Sequence, residues 1–426
     1  MQIQDKDYSF QSVPKGSRNS FIRMLVVMLG FTFYSASMWA GGSLGEGLTF
    51  MQLLGVILLG NIILGTFTGA LSYIAAKTGL STHILAQYSF GKKGAYVSSF
   101  MLSATQIGWF GVGLGMFAYP LHKLTGLPLL GIVIVTGILM TATAYFGMNA
   151  LAILSFIAVP AIAVLGSMSA GMAIQDMGGI DSLMAYTPNS SLTLAAALTI
   201  TIGSFISGGT LTPDFARYAK SGKHAVTTTV IAFFLGNTLM FLFGAIGVIA
   251  TGHNDISDVM ISQGLLLPAI LVLGLNIWTT NDNSLYASGL GFATMFKKPK
   301  VFMVMLNGTI GTVFAIVLYN NFTSWLTFLG STLPAIGAII ITDFYFVNKR
   351  TYITYEKAAI KDVHIPAIIA WAVGILSGLI LPGIASLNTL FITGIVYIIA
   401  VKSMKTVNVT EIKEQEEEEV IYEKVG

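Results

Sequence analysis

Two short polar clusters interrupt an otherwise strongly apolar chain: Gln106-Ile107-Gly108-Trp109-Phe110-Gly111 and Asn276-Ile277-Trp278-Thr279-Thr280-Asn281-Asp282-Asn283-Ser284. In the first, Gln106 and Trp109 are three residues apart and share one helix face. A buried glutamine amide carries an acceptor and two donors that need partners. Beside an indole plane, it can read the edge and the face of a flat polar heterocycle. Phe205 is the candidate for the opposing face, because stacking on an aromatic side chain is worth about 1–3 kcal/mol per base and tolerates any planar ring. Packing, or a place in an interfacial aromatic belt, is the other role open to Trp109.

The second cluster suits a cation. Asn276, Thr279 and Thr280 stand at i, i+3 and i+4, so they present oxygens from one face. Neutral oxygens without a carboxylate fit a weakly held monovalent ion better than calcium or magnesium, which favour carboxylates. Sodium is therefore the expected ion, with backbone carbonyls near Gly30 and Phe33 completing its shell. The competing reading is that the threonine hydroxyls bond back to their own helix. Asp214, Asp282 and Asp343 fall toward the cytoplasmic ends of their segments, where gate or structural pairs are favoured over a proton-carrying carboxylate.

Other chemistries lose support. The chain has no cysteine, so disulfides, thiolate metal sites and cysteine nucleophiles are excluded. No glycine-rich phosphate loop follows a strand and no Ser/His/Asp arrangement can be defended. His83, His122, His224, His253 and His364 all map to loops or segment ends. An enzyme is not expected.

The elements that must position these groups are membrane spans. Of 426 residues, 54% are hydrophobic and 10% charged, far from the balance of a soluble domain. No cleavable signal peptide is evident, since the first twenty residues are polar. With roughly 20 apolar residues per crossing, the hydropathy gives twelve spans, near 21–44, 50–75, 96–121, 127–146, 149–173, 193–217, 225–250, 264–294, 301–319, 323–347, 364–381 and 385–402. Placing the N-terminus inside puts every one of the 22 lysines and arginines except Lys123 on the cytoplasmic side, which supports the orientation and the number of spans. Both termini are then cytoplasmic. The tail from Thr406, with Glu411, Glu414, Glu416 to Glu419 and Glu423, reads as a solvated, largely disordered end.

Two spans carry candidate breaks. Gly203-Ser204-Phe205-Ile206-Ser207-Gly208-Gly209-Thr210-Leu211-Thr212-Pro213-Asp214 concentrates glycine and proline, which cost about 1 and 3 kcal/mol respectively in a helix interior. A break at membrane depth persists only where a ligand, an ion or a polar cavity satisfies the freed backbone groups. Close packing through small residues would equally account for the composition. Span 1 offers the second interruption, Gly30-Phe31-Thr32-Phe33-Tyr34-Ser35-Ala36-Ser37. Spans 1 and 6 are five apart and cross in opposite directions, the signature of an inverted repeat. The expected fold is an all-α polytopic membrane protein of twelve transmembrane helices. Residues 1–20 form a cytoplasmic tail, 21–173 and 193–347 a five-plus-five inverted repeat with helices 1 and 6 broken, 364–402 two extra helices, and 403–426 the acidic tail.

Four motifs in order, Ser35-Ala36-Ser37-Met38-Trp39, the Gln106 to Gly111 run, Gly203-Ser204-Phe205-Ile206-Ser207 and Gly274-Leu275-Asn276 through Asn283, resemble the nucleobase:cation symporter-1 family over nearly the whole chain except its tails. The resemblance implies the fold of the leucine transporter, with cytosine between Trp109 and Phe205. Gln106 and Asn276 would bond its edge, with Ser204, Ser207 and the Gly203 backbone as further contacts. It also implies sodium between spans 1 and 8, on the carbonyls of Gly30, Phe33 and Asn276 and the hydroxyls of Thr279 and Thr280. Where relatives carry a tryptophan as the second aromatic, Phe205 is smaller, which suits a single ring. The expected function is sodium-coupled import of cytosine across a bacterial cytoplasmic membrane, with no nucleic acid and no obligate protein partner. Proton coupling, another cargo such as a purine or hydantoin, and a non-transporting nucleobase sensor are the rivals.

Overall fold

Because a bilayer core offers backbone groups no water, each must be bonded inside the protein, and the chain answers with helices. The computed structural model describes residues 7–188, 190–253, 256–321, 329, 332–404 and 410–412. In order they form α1 (Phe21–Thr32), α2 (Ser35–Gly47), α3 (Phe50–Thr78), α4 (Thr82–Phe90), α5 (Ala95–Thr125), α6 (Leu129–Tyr145), α7 (Met148–Asp176) and the short α8 (Ile180–Met184). Then come α9 (Leu194–Thr210), α10 (Thr212–Ala216), α11 (Gly222–Ala232), a π turn at Phe233–Asn237, α12 (Thr238–Thr251), α13 (Ile256–Ser262), α14 (Leu266–Phe296) and α15 (Lys300–Asn320). The last are α16 (Pro334–Thr342), a second π turn at Asp343–Val347, α17 (Ile365–Ile380) and α18 (Ala385–Ser403).

Six of these stretches are long and apolar enough to cross a membrane alone, and α1 with α2 makes a seventh, bent by 52°. α6, α9, α17 and the stretch Pro334–Val347 are shorter apolar helices. α14 is 31 residues long and carries the polar cluster. Of the expected tenth span, residues 322–328, 330 and 331 lie outside the described residues, as do Glu414 to Glu423 of the tail. The protein is a helical membrane protein with lipid-facing stripes, as on α7, where Ile153, Ile157, Val164 and Met168 are exposed along one face.

The bundle is organised around α14 on α5 and α2 on α12, with α3 against α9 and α11, and α1 against α7 and α11. Close approach of α2 and α12 rests on glycine. A Cβ on Gly41 would strike the carbonyl of Phe241, and one on Gly244 the carbonyl of Met38.

The break in span 1 falls at Phe33 and Tyr34, whose backbones leave the helical region (φ −74°, ψ 82° and φ −125°, ψ 122°). Gly30 stays helical; Ser155 of α7 fills the place a Cβ would take. In span 6 the break falls inside the expected stretch, near its C-terminal end. Gly203 to Thr210 remain helical and the chain breaks at Leu211. Pro213 is the cause, because it has no N–H to offer the carbonyl of Gly209. The Thr212 hydroxyl replaces that donor, 2.7 Å from the Gly209 oxygen. Of the glycines upstream, Gly209 serves packing, meeting Thr68 and Phe67 of α3.

At the end of span 6 the fully buried Arg217 donates to the carbonyls of Asp7 (2.7 Å) and Tyr8 (3.0 Å) and to the Tyr286 hydroxyl (3.2 Å). Asp214 instead accepts from the Thr82 backbone N–H at 2.8 Å. The two side chains thus tie different segments to α10. Part of the tail also differs from expectation. β2 (Thr410–Ile412) pairs antiparallel with β1 (Ala358–Ile360), which satisfies backbone groups that a solvated tail would leave to water.

Gly244→Ala should separate α2 from α12 and cost about 1–3 kcal/mol, as overpacking does. A lowered midpoint in a thermal-unfolding assay of the purified protein checks this, and an unchanged midpoint would refute the glycine contact.

Candidate functional site

The helical repeat sorts the polar cluster of α14 onto different faces. Thr280, Asn283 and Ser284, at i, i+3 and i+4, face a small cavity that they share with Phe31, Tyr34, Gln106, Trp109, Ser204, Phe205, Ser207 and Gly208. Asn281 turns to α5, donating to the Phe110 carbonyl at 3.3 Å. Asp282 turns to α6, accepting from the Thr143 hydroxyl at 2.8 Å.

Five residues expected to touch a planar ligand, Gln106, Trp109, Ser204, Phe205 and Ser207, line that cavity. Two do not. Gly203 sits one residue before the lining on α9, with open space where a Cβ would stand. Asn276 is engaged with the span 1 break: its Nδ2 donates to the Phe33 carbonyl at 3.2 Å, and the Ser35 hydroxyl donates to its Oδ1. Tyr34 stands between the two aromatics, edge-on to Trp109 (centroids 5.2 Å, 77°) and to Phe205 (5.6 Å, 89°). Among the described residues, the Tyr34 hydroxyl and the Gln106 Nε2 are buried without a hydrogen-bond partner. The cavity measures about 30 Å³, room for about one water.

Sequence reasoning missed Tyr34, Phe31, Asn283 and Ser284 as lining residues. The spacing of Asn283 and Ser284 from Thr280 was the available signal. Nothing in the sequence around Phe31 and Tyr34 distinguishes rings that face a cavity from rings that pack.

Of the residues expected to hold sodium, Phe33 and Asn276 meet directly where span 1 breaks beside α14. Thr279 Oγ1 donates to the carbonyls of Asn276 (2.9 Å) and Leu275 (3.1 Å), and Thr280 Oγ1 to that of Asn276 (2.9 Å). Each hydroxyl therefore bonds back to its helix, yet each keeps lone pairs that a cation could use. The carbonyl of Phe33 is already taken by Asn276. Gly30 lies within α1, three residues before the break.

A second, larger cavity of about 800 Å³ opens on the other side of α14, lined by Leu275, Trp278 and Asp282 together with Thr143, Asn149 and Lys300. There Trp278 Nε1 donates to the Thr143 hydroxyl at 2.8 Å, and that hydroxyl donates to Asp282 Oδ1. The other carboxylate oxygen of Asp282 is buried and unpartnered. Lys300 pairs with Asp7 at the edge of this cavity.

A small polar and aromatic cavity between two broken helices, within a bundle of apolar spans, is the architecture of a membrane transporter. Residues 12–406 match the family described as permeases for cytosine/purines, uracil, thiamine and allantoin, and the chain belongs to that family. It is 52% identical over 396 residues to the cytosine permease of Escherichia coli K12, covering 93% of this chain and 94% of the relative. Among solved structures it is similar to Mhp1, a nucleobase-cation-symport-1 family transporter in a closed conformation with bromovinylhydantoin bound (TM-score 0.83, 18% identity, 97% and 99% of the two chains). A Na+-coupled sialic acid symporter shares the fold at TM-score 0.74 and 11% identity, over 97% and 94% of the chains. The fold is thus of the leucine-transporter type, and the protein is a permease, not an enzyme.

Asn276→Ala would leave the Phe33 carbonyl and the Ser35 hydroxyl without partners, each worth about 1–3 kcal/mol when buried. The expected outcome is a lower unfolding midpoint without any ligand, together with faster hydrogen exchange in α1 and α2. Unchanged exchange there would show that Asn276 does not hold the break.

Proposed function

We propose that this chain is a sodium-coupled symporter that imports cytosine by alternating access, with twelve spans, both termini cytoplasmic, in a bacterial cytoplasmic membrane. The observation that carries the reading is the convergence on one small cavity of an indole, a phenyl ring and an unpartnered glutamine amide, in a chain half identical to a cytosine permease along nearly its whole length. Trp109 and Phe205 would take the two faces of the base. Gln106, with Ser204 or Ser207 and the neighbouring Asn283, would read its edge.

A cavity of about 30 Å³ does not admit a six-membered ring. Tyr34 must therefore swing from between the aromatics as cytosine arrives, and its buried hydroxyl would gain a partner by doing so. Because Tyr34 belongs to the same break as Phe33, this movement is coupled to the cation site. Sodium would draw together the oxygens of Gly30, Phe33, Asn276, Thr279 and Thr280. It would compete with the Asn276 amide for the Phe33 carbonyl and fix α1 against α14. By linkage, cytosine tightens sodium by the factor that sodium tightens cytosine.

A five-plus-five inverted repeat over 21–173 and 193–347 is supported by contacts that recur at an offset of five spans. Span 1 on span 7 (α2 on α12) has its counterpart in span 6 on span 2 (α9 on α3), and span 3 on span 9 (α5 on α15) in span 8 on span 4 (α14 on α6).

Proton coupling is the second reading, favoured by one observation: the buried, unpartnered carboxylate oxygen of Asp282 in the larger cavity. Cytosine binding to the purified protein in sodium against choline, at several pH values, separates the two. Binding that requires sodium and ignores pH is expected. Binding that follows pH and survives Asp282→Asn only weakly would transfer the coupling to the proton, and no binding in either salt would discard the cargo. Trp109→Ala and Phe205→Ala should each weaken cytosine by at least about tenfold, since a stacked face is worth about 1–3 kcal/mol, with Thr280→Ala altering the sodium dependence first.

A further inference from the structure

A cytoplasmic pocket of about 520 Å³ lies apart from both cavities described above. Four cationic side chains stand around it: Lys15 and Arg18 of the N-terminal segment, Lys77 at the end of α3, and Arg350 just after the π turn at Asp343–Val347. No ion pair engages any of them among the described residues. Arg18 spends its guanidinium on backbone, with Nη1 donating to the carbonyls of Ala76 (2.6 Å) and Ala219 (3.3 Å). Arg350 lies over the Tyr345 ring at 5.4 Å. These contacts position the charges without neutralising them. Tyr88 and Tyr352, stacked at 4.4 Å, are part of the wall, and Glu356, which accepts from the Ser12 hydroxyl at 3.2 Å, is the carboxylate beside it. Four cations around one cavity repel one another, so the pocket favours an anion.

The small sheet says which anion is at hand. Thr351 to Tyr355 form one wall of the pocket, and β1 follows them in the chain. β2 pairs antiparallel to β1, with Ile360 opposite Thr410 and Ala358 opposite Ile412. At Ile412, opposite Ala358, the chain points toward the residues that precede β1, where the Tyr355–Lys357 turn and the wall of the pocket lie. The residues that follow include Glu414 and the run Glu416 to Glu419. We propose that this glutamate-rich segment docks in the basic pocket as an acidic plug, tethered by the β1–β2 pairing. Tethering raises its effective concentration to about the millimolar range, and charge complementarity selects the pocket over neutral surface.

Docking has a mechanical consequence. Ser12 to Lys15 and Arg18 belong to the N-terminal segment whose Asp7 and Tyr8 carbonyls Arg217 holds. A segment docked there ties the N-terminal residues to α3 and to the wall after the second π turn. Its release, by salt or by neutralisation, frees those residues.

Since the chain has no cysteine, paired cysteines can be placed in the full-length protein directly. In reconstituted vesicles of neutral lipid under mild oxidation, Thr354→Cys with Glu416→Cys should form a disulfide at least about tenfold faster than Lys297→Cys with Glu416→Cys, given local tethering. That advantage should shrink in 1 M salt, where the Debye length is about 3 Å, and on adding Lys15→Gln, Lys77→Gln and Arg350→Gln together. Changing Glu414 and Glu416 to Glu419 to glutamine should also make trypsin cut after Lys15 several-fold faster. Equal rates for the two pairs, or a rate indifferent to the pocket's charge, would overturn the docking; unchanged trypsin cleavage would overturn the tie to the N-terminal residues. If the advantage vanishes in vesicles containing phosphatidylglycerol, the pocket belongs to an anionic lipid and the proposal fails. None of these readouts depends on the cargo.

Discussion

The hydrogen bond from Asn276 to the Phe33 carbonyl is what allows span 1 to be broken inside a membrane. Two residues leave the helix at Phe33 and Tyr34, and hydrocarbon would leave the freed groups unsatisfied at a cost of several kcal/mol each. A side chain from α14 supplies the missing donor. The same economy operates in span 6, where the Thr212 hydroxyl stands in for the N–H that Pro213 lacks. Both repairs are polar, local and reversible, unlike a continuous helical ladder. A ligand or an ion can compete for them, which makes the breaks places where binding energy can move the chain.

α14 connects the parts because its polar cluster wraps the helix instead of forming one stripe. Asn276 looks toward the broken span 1, Thr280, Asn283 and Ser284 toward the small cavity, Asn281 toward α5, and Asp282 toward α6. A rigid helix carrying these faces cannot respond on one without presenting a changed register to the others. That is a physical route for coupling two ligands, and it needs no long chain of intermediates.

Much of this organisation was legible in the sequence, for reasons that differ by residue. Span limits were readable because a bilayer imposes a length: the expected 50–75 and 385–402 became Phe50–Thr78 and Ala385–Ser403. Gln106, Trp109 and Phe205 could be grouped because polar and aromatic residues at helical spacing are conspicuous in apolar surroundings. The span 6 break lies at the far end of the expected stretch, at Leu211 before Pro213, and the glycines ahead of it stay helical. Glycine propensities of about 1 kcal/mol were set against an unknown packing gain, and Gly209 against Thr68 and Phe67 shows that packing prevailed. Tyr34 was illegible as a cavity residue because its position depends on a break and on two rings from distant helices. β1 and β2 were illegible because strands of three residues acquire meaning only when a partner some fifty residues away meets them.

The small size of the cavity between Trp109 and Phe205 follows from the same logic as the breaks. An empty aromatic slot in a membrane protein would forfeit dispersion contacts on both faces, so the nearest mobile ring fills it. Tyr34 is that ring because it and the preceding Phe33 have left the helical region. Filling the slot edge-on buries its hydroxyl without a partner, a cost that a better-bonded occupant removes. Filled in this way the slot is packed, yet it holds a hydroxyl that a ligand could satisfy. The transport cycle proposed above requires that balance, since a fully satisfied slot would resist its ligand and an open one would forfeit its packing.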